Sequence, residues 1–117
     1  MSPTIQLLLP WPPSVNHYWG QAGKHRFIGK RGKEFRKAVA EACIEAAVEP
    51  LEGRLAVHVN LYPPDRRKRD IDNILKSLLD ACEHAGCYES DSQIDELHIV
   101  RKERQDGGAC TILIMVL

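Results

Sequence analysis

The stretch "RLAVHVNLYPPDRRKRDIDNILKSLLDACEHAG", residues 54–86, places a strand pattern, a charged loop and a helix pattern in direct succession. Between residues 55 and 61 every second residue is Leu or Val, which is the period of a half-buried strand. A Pro-Pro pair ends this strand, and Gly86 provides a natural stop for the helix that follows. The apolar face predicted for that helix consists of Ile71, Ile74, Leu75, Leu78, Leu79, Cys82 and Ala85.

The sequence before this stretch predicts a strand, a loop and a helix. "TIQLLLP", from residue 4, alternates like a strand that Pro10 stops, and "PWPPSVN", residues 10–16, follows as a Pro-rich loop. A second, short strand is expected near "HRFI", residues 25–28. Residues 30–49 have helical spacing and end before Pro50 and Gly53, with an apolar face made of Phe35, Val39, Ala42, Cys43 and Ala46.

Two strands are predicted after the stretch, the first from Gln93 to Lys102 and the second over "CTILIMVL", residues 110–117. The turn residues Asp106, Gly107 and Gly108 favour a hairpin between them. The last strand lacks clean alternation, which is typical of a central strand covered on both faces or of a subunit interface. The predicted order is β(β)αβαββ, an α+β fold in which two helices pack on one mixed sheet.

The length and the composition predict one soluble globular domain spanning residues 1–117. The net charge is zero, yet residues 24–37 carry seven Lys or Arg against one Glu, and residues 80–96 carry six acids and no Lys or Arg. No secretory leader or membrane span is expected, so we predict a cytoplasmic protein. The four cysteines are interpreted as reduced, buried thiols, with a zinc site on Cys82, His84, Cys87 and His98 as the less favoured alternative.

The D-x-D of Asp70 and Asp72 is a candidate metal site. In mid-helix two such side chains diverge by about 200°, but at a loop-to-helix junction both carboxylates can face one ion. Hard carboxylate oxygens suit Mg²⁺ or Mn²⁺. Asp91 is the best third carboxylate because it lies in a loop, whereas Asp95 is expected on a strand. The alternative is that Asp70 only caps the helix.

Lys76 follows Asp72 by one helical turn and projects from nearly the same face. It is either a surface ion-pair partner of Asp72 or a cation that stabilises charge on a reacting phosphate. Four consecutive cations precede the D-x-D, and a polyanion such as nucleic acid would explain both them and the basic segment 24–37; a solvated basic loop is the alternative. "GKHRFIGK", residues 23–30, imitates a phosphate-binding loop without its spacing, so no nucleotide cofactor is expected.

Three segments together resemble the RusA family of endodeoxyribonucleases, the phage-type and prophage-type Holliday junction resolvases. They are "LPWPPSVNHYW", "PPDRRKRDIDNILKSLLDACEHAG" and "ESDSQIDELHIVRKE", and the resemblance covers nearly the whole chain. It implies a homodimeric, Mg²⁺-dependent, bacterial or phage-encoded enzyme that binds four-way DNA junctions and nicks two opposed strands. Nucleases that prefer other branched DNA, and a non-catalytic basic dimeric DNA-binding protein, are the alternatives.

The resemblance also assigns residues. It places the acidic triad on Asp70, Asp72 and Asp91 and the catalytic lysine on Lys76. The predicted DNA-contacting residues lie in the charged loop, at the start of the helix after it and in the first basic segment: Arg66, Arg67, Lys68, Arg69, Asn73, Lys30, Arg31 and Lys33. The aromatic residues Trp11, Tyr18 and Trp19 are expected either to stack on bases or exchange with a partner, or to belong to the core.

Overall fold

The computed structural model describes residues 3–117, so Met1 and Ser2 of the predicted domain lie outside the described residues. The short strand near residue 25 is confirmed, and the structure adds a strand that pairs with it and a four-residue helix before that. The elements are β1 Thr4–Leu9, α1 Val15–Tyr18, β2 Trp19–Ala22, β3 His25–Ile28, α2 Lys30–Glu45, β4 Leu55–Tyr62, α3 Asp72–His84, a 3₁₀ turn Asp91–Gln93, β5 Ile94–Arg101 and β6 Ala109–Val116.

The main sheet is mixed, as predicted, and has the strand order β1-β6-β4-β5. β6 is antiparallel to both of its neighbours, while β4 and β5 are parallel and are connected through α3. β2 and β3 form a separate antiparallel hairpin. Because β4 and β5 are parallel, the loops that follow them leave from the same end of the two strands.

The predicted hairpin between the last two strands is wrong, because β4 lies between β5 and β6. The connection from residue 102 to 108 crosses the end of β4 instead of turning back on β5. Two backbone hydrogen bonds hold it there, from the Lys102 amide to the Leu61 carbonyl at 2.7 Å and from the Gln105 amide to the Pro63 carbonyl at 2.9 Å. The Gly-rich turn therefore belongs to a connection that passes over the end of β4 to reach β6, and not to a hairpin.

The first long helix is shorter than predicted, because α2 ends at Glu45 and not at residue 49. Ala47 has a left-handed backbone with φ 52°, and the Val48 amide donates to the Cys43 carbonyl. α3 ends in the same way around Gly86, where φ is 92° and the Cys87 amide donates to the Cys82 carbonyl. Both helices thus stop through a left-handed residue, and the predicted stop at Gly86 is confirmed.

The hydrophobic core lies between the two long helices and one face of the sheet. α2 contributes Phe35, Val39 and Cys43, whereas Ala46 is exposed, contrary to the predicted apolar face. The strands contribute side chains that alternate along β1, β4 and β6, so the period-two prediction for β4 is confirmed except at buried Ala56. β6 is a central strand, but its second face is only half-buried in the single chain.

The four cysteines are free and buried, which confirms their interpretation as core thiols. Burial raises the pKa of Cys43 and of Cys110 to about 12, so these thiols stay protonated. Cys82 and Cys87 lie in the core while His84 and His98 are exposed, and among residues 3–117 no group of three or more His, Cys, Asp or Glu side chains is arranged to hold a metal, so the four residues of the zinc alternative are not brought together. No helix in the described part is long and apolar enough to cross a membrane.

Candidate active site

Asp70 and Asp72 lie where the basic loop, residues 65–70, joins α3. Asp72 is the first residue of the helix, and Ile71 is its N-cap without a side-chain capping bond. The Asn73 amide donates to the main-chain carbonyl of Asp70 at 3.2 Å. Both carboxylates are exposed and form no ion pair within the described residues. The capping alternative for Asp70 therefore finds no support, since its carboxylate remains available to a ligand.

Asp91 begins the short 3₁₀ turn at the amino end of β5. Its amide donates to Glu83 Oε1 at 2.7 Å, and Ser90 and Gln93 close a capping box around the turn. The expected strand position of Asp95 is confirmed, and its carboxylate is taken by Arg54 at 2.6 Å. Of these two aspartates, only Asp91 faces the catalytic lysine of the resemblance.

Lys76 pairs with Asp91 and not with Asp72. Its Nζ lies 3.7 Å from Asp91 Oδ2, with the lysine 58% and the aspartate 35% exposed. An ion pair this open contributes little to stability. The alternative of a surface pair between Lys76 and Asp72 is therefore not found in the described residues, and the lysine head lies next to the third predicted carboxylate.

The single chain does not gather all three aspartates at one point. The Asp91 amide is bound to Glu83 in the last turns of α3, and the Asp91 carboxylate lies 3.7 Å from Nζ of Lys76, one helical turn after Asp72. The described residues accordingly contain no group of three carboxylates arranged for one ion. What the structure does bring together is the Asp70–Asp72 pair at the start of α3 and the Lys76–Asp91 pair further along the helix.

The basic loop is held in shape by Asp65. Arg69 donates to both oxygens of this carboxylate, at 2.7 and 3.0 Å, and Arg67 lies 3.6 Å from it. The hydrogen bond from Arg69 and that from the Arg67 amide lower the pKa of Asp65 to about 2. No carboxylate in the described residues pairs with Arg66 or Lys68, so these cations are available to a ligand.

One surface depression, which we term the basic groove, joins the two basic segments. It encloses about 250 Å³ between the Pro-rich loop, α2 and the start of α3. Arg31 from the first segment meets the basic loop there, while Lys30 and Lys33 are exposed on the first turn of α2 and do not line it. The groove is lined by Trp11, Pro12, Pro13, Ser14, His17, Arg31, Arg67, Arg69, Asn73 and Ile74.

The three aromatic residues of the early segment have different environments. Tyr18 is fully buried, so the core alternative applies to it. Trp19 is half-buried, and the Arg26 guanidinium lies 4.1 Å from its ring centroid. Trp11 is half-buried, packs against the core and lines the basic groove. Of the three, only Trp11 is therefore placed beside the predicted DNA-contacting residues.

Residue patterns alone missed three contributors to this region. Glu83 holds the Asp91 amide, and Arg101 donates to the main-chain carbonyl of Arg69. Arg104 lines a surface depression together with Arg101 and Asp70. The run "RKER", residues 101–104, at the end of a predicted strand was the available signal for the two arginines, but its distance from the D-x-D in sequence concealed the contact.

Free carboxylates, a lysine beside a third carboxylate and two converging basic segments define a site suited to processing a nucleic-acid backbone. The family model of endodeoxyribonuclease RusA matches residues 10–115. Crossover junction endodeoxyribonuclease RusA of Enterobacteria phage HK97 is 39% identical over 113 residues, which cover 96% of this chain and 94% of that protein. The protein of the same name from Escherichia coli K12 is 30% identical, over 95% and 93% of the two chains.

This chain belongs to the RusA family of endodeoxyribonucleases. The family match spans the Pro-rich loop, the basic loop, α3 and β5, and so includes every residue of the candidate site.

Proposed function

We propose that this protein is a crossover junction endodeoxyribonuclease that cuts four-way DNA junctions in a Mg²⁺-dependent reaction. The observation that carries the proposal is the pair of exposed carboxylates, Asp70 and Asp72, which have no ion-pair partner in residues 3–117 and directly follow a run of four cations. Two adjacent anions beside a polyanion would repel it unless a cation lies between them. The sequence identity to crossover junction endodeoxyribonucleases supports the same activity.

The donor set fits Mg²⁺, which is usually held by one or two carboxylates together with phosphate oxygens and water. Asp70 and Asp72 would be those carboxylates. A bound Mg²⁺ supplies polarisation of the phosphate and a water that is more easily deprotonated. Asp91 as a third ligand remains a prediction of the family resemblance, because within one chain this residue pairs with Lys76.

The remaining residues bind and orient the DNA strand. Arg31, Arg67 and Arg69 line the basic groove, where their guanidinium groups can hold successive phosphates. Asn73 lies on the exposed first turn of α3 and offers an amide to the same backbone. Lys76 lies one turn beyond Asp72. Its positive charge would stabilise the extra negative charge that builds up on the phosphate during cleavage.

We further propose that the active form is a homodimer. A four-way junction presents two opposed strands related by a two-fold axis, and each chain offers one Asp70–Asp72 pair. A dimer with two-fold symmetry would therefore place one site on each of the two strands. Light scattering of the purified protein coupled to size-exclusion chromatography gives the mass of the assembly, and a monomer at the concentration used for cleavage would refute the dimer.

The cleavage test compares three end-labelled substrates at one salt concentration: a synthetic four-way junction, a flapped duplex and a linear duplex of the same sequence. With Mg²⁺ we expect symmetrical nicks in two opposed strands of the junction, and with EDTA we expect binding without nicks. Cleavage that proceeds equally well in EDTA would refute the metal site. Equal cleavage of the linear duplex would refute junction specificity, and preference for the flap would favour the alternative branched substrate.

A further inference from the structure

A second depression, which we term the arginine cleft, opens between the basic loop and the end of β5. It encloses about 310 Å³ and includes Asp70 in its wall. β4 and β5 are parallel and Arg101 lies directly across from Leu61, so the loop that leaves β4 starts beside Arg101. Open α/β sheets bind ligands in crevices outside the carboxyl ends of parallel strands, and the cleft lies at the corresponding end of the parallel β4–β5 pair in this mixed sheet. The cleft is lined by Trp11, Leu61, Pro63, Asp65, Arg66, Arg67, Lys68, Arg69, Asp70, Ile71, Ile74, Arg101 and Arg104.

The cleft has a large excess of positive charge, since six Lys or Arg side chains and only two carboxylates line it. The carboxylate of Asp65 is already shared by two arginines of the basic loop. Within residues 3–117, Arg66, Lys68 and Arg101 have no carboxylate partner, and Arg104 pairs with exposed Asp106 at 2.7 Å. Uncompensated cations around one cavity favour an anionic ligand with more than one charge.

Arg101 links this cleft to the proposed metal-binding carboxylates. Its Nη2 donates to the carbonyl of Arg69, which belongs to the peptide bond that precedes Asp70. A guanidinium has five N–H donors, so one bond to the main chain leaves others for a ligand. The main-chain bond therefore places the Arg101 cation beside Asp70.

The environment of Trp11, which lines the cleft, bears on which part of a nucleotide the cleft would take. Trp11 could in principle stack on a base, but the guanidinium of Arg69 lies 5.6 Å from its ring centroid. Its ring is thus already in contact with a cation, while the walls present arginines and a lysine. This arrangement suits the sugar-phosphate backbone better than an unstacked base.

We propose that Arg101 and Arg104 complete a phosphate-binding cleft that holds the sugar-phosphate backbone of the junction strand next to Asp70. This inference rests on the proposed function and extends its DNA-binding surface from the basic loop to the end of β5. Neither arginine belongs to the two basic segments, so the cleft exists only because the fold brings residues 65–70 and 101–104 together.

The test measures junction affinity by fluorescence anisotropy in EDTA over a range of salt concentrations. The slope of log K against log salt is negative, and each lost phosphate contact makes it shallower by about 0.9. Arg101→Ala removes one contact from each protomer of the proposed dimer, so we expect a slope about 1.8 shallower than in the wild type and an affinity about 60-fold lower at 0.1 M salt. Arg104→Ala should also flatten the slope, but less, because Asp106 partly neutralises Arg104.

Arg54→Ala is the matched control because it removes the same charge from an exposed arginine at the other end of the sheet. Arg54 precedes the Leu55–Ile94 pair, and Arg101 lies seven residues further along β5, about 23 Å away. The control should leave the salt slope unchanged. Arg104 makes no bond to the basic loop in the described residues, so its variant reports on phosphate binding even if Arg101→Ala disorders that loop.

The inference is overturned if both cleft variants have the slope of Arg54→Ala while the wild type cuts junctions with Mg²⁺. In that case the proposed function stands. If instead the wild-type affinity is independent of salt, or the wild type shows no Mg²⁺-dependent nicking, the proposed function is refuted. The inference, which rests on it, then fails as well. A flattened slope in Arg104→Ala together with an unchanged slope in the control supports the cleft.

Discussion

Replacing Asp80 with Asn would test the polar cluster that joins the two long helices. Asp80 on α3 accepts hydrogen bonds from Arg36 Nη2 on α2, at 2.8 Å, and from the hydroxyl of buried Tyr18. Arg36 Nε also donates to the Tyr18 hydroxyl at 2.7 Å, so each member contacts both others. The Arg36 and Asp80 side chains are only 23% and 22% exposed. The substitution keeps the size of the side chain and removes the anion.

The loss can be estimated from these contacts. A hydrogen bond to a charged group contributes about 1.5–3 kcal/mol, and the guanidinium would stay largely buried without its counter-ion. We expect the free energy of unfolding to fall by about 2–3 kcal/mol. At about 2.1 cal/mol/K of unfolding entropy per residue, 117 residues give about 0.25 kcal/mol/K, so Tm should fall by about 8–12 °C.

The pH dependence gives the prediction a second readout. Burial of the Asp80 carboxyl by itself raises its pKa, but the hydrogen bonds from Tyr18 and Arg36 and the charges of Arg36 and Lys76 outweigh burial and lower it. A carboxyl group whose pKa is lowered by folding stabilises the folded protein at pH values above its ordinary pKa of 3.8. This contribution is lost as the pH falls further. The difference between wild type and variant should therefore be complete at pH 7 and shrink below pH 4.

Thermal unfolding followed by circular dichroism from pH 7 to pH 3 measures both effects. Asp95→Asn is the matched control, because Asp95 pairs with Arg54 on the surface, where the two side chains are 41% and 72% exposed. It should change Tm far less than Asp80→Asn. A Tm for Asp80→Asn equal to that of the control, or a difference that persists unchanged at pH 3, would refute this account of the cluster.

Three further predictions concern other elements. Ala47→Gly should raise the free energy of unfolding by about 0.5–1 kcal/mol in urea titrations, because φ is 52° and Gly86 already ends α3 in this way. Ser77→Ala should lower it by about 1–3 kcal/mol, because the buried hydroxyl donates to the Pro13 carbonyl at 2.6 Å. Lys76→Met should lower the junction-cleavage rate about 100-fold or more in single-turnover assays, with junction affinity nearly unchanged, because its charge favours the reacting phosphate.

Each of these predictions has a result that contradicts it. Ala46→Gly is the control for its neighbour, since Ala46 has φ −85° and should be destabilised by glycine; equal effects at both positions would argue against backbone strain. A neutral Ser77→Ala would mean that the Pro-rich loop is held by other contacts. A loss of affinity in Lys76→Met that is as large as the loss of rate would make this lysine a binding residue only.

The local elements could be predicted from the sequence because their determinants are local. The period of two in β4, the helical spacing in α2 and α3 and the stop at Gly86 all describe neighbours in sequence. The order of the strands could not be predicted in this way. The segment around Gly107 has the composition of a hairpin turn, and only the bonds of residues 102–108 to the end of β4 show that the chain crosses over it.

The same distinction applies to the site. The position of Asp70 and Asp72 at a loop-to-helix junction followed from the adjacent prolines and the helix pattern, and the structure confirms it. A surface ion pair of Lys76 with Asp72, one turn away, was one of two alternatives drawn from the sequence, but the lysine pairs with Asp91, which tertiary packing brings closer. Arg101 was missed because its contact with the basic loop joins positions 32 residues apart.

The central claim is that the carboxylates at the start of α3 hold the metal and that the surrounding cations hold the DNA. Asp72→Asn tests it most directly, because this exposed side chain has no ion-pair partner in the described residues and its loss should not disturb the fold. The measurement pairs junction binding in EDTA with junction nicking in Mg²⁺ on the same preparation. We predict that binding is retained and nicking disappears. Nicking at the wild-type rate would contradict the claim.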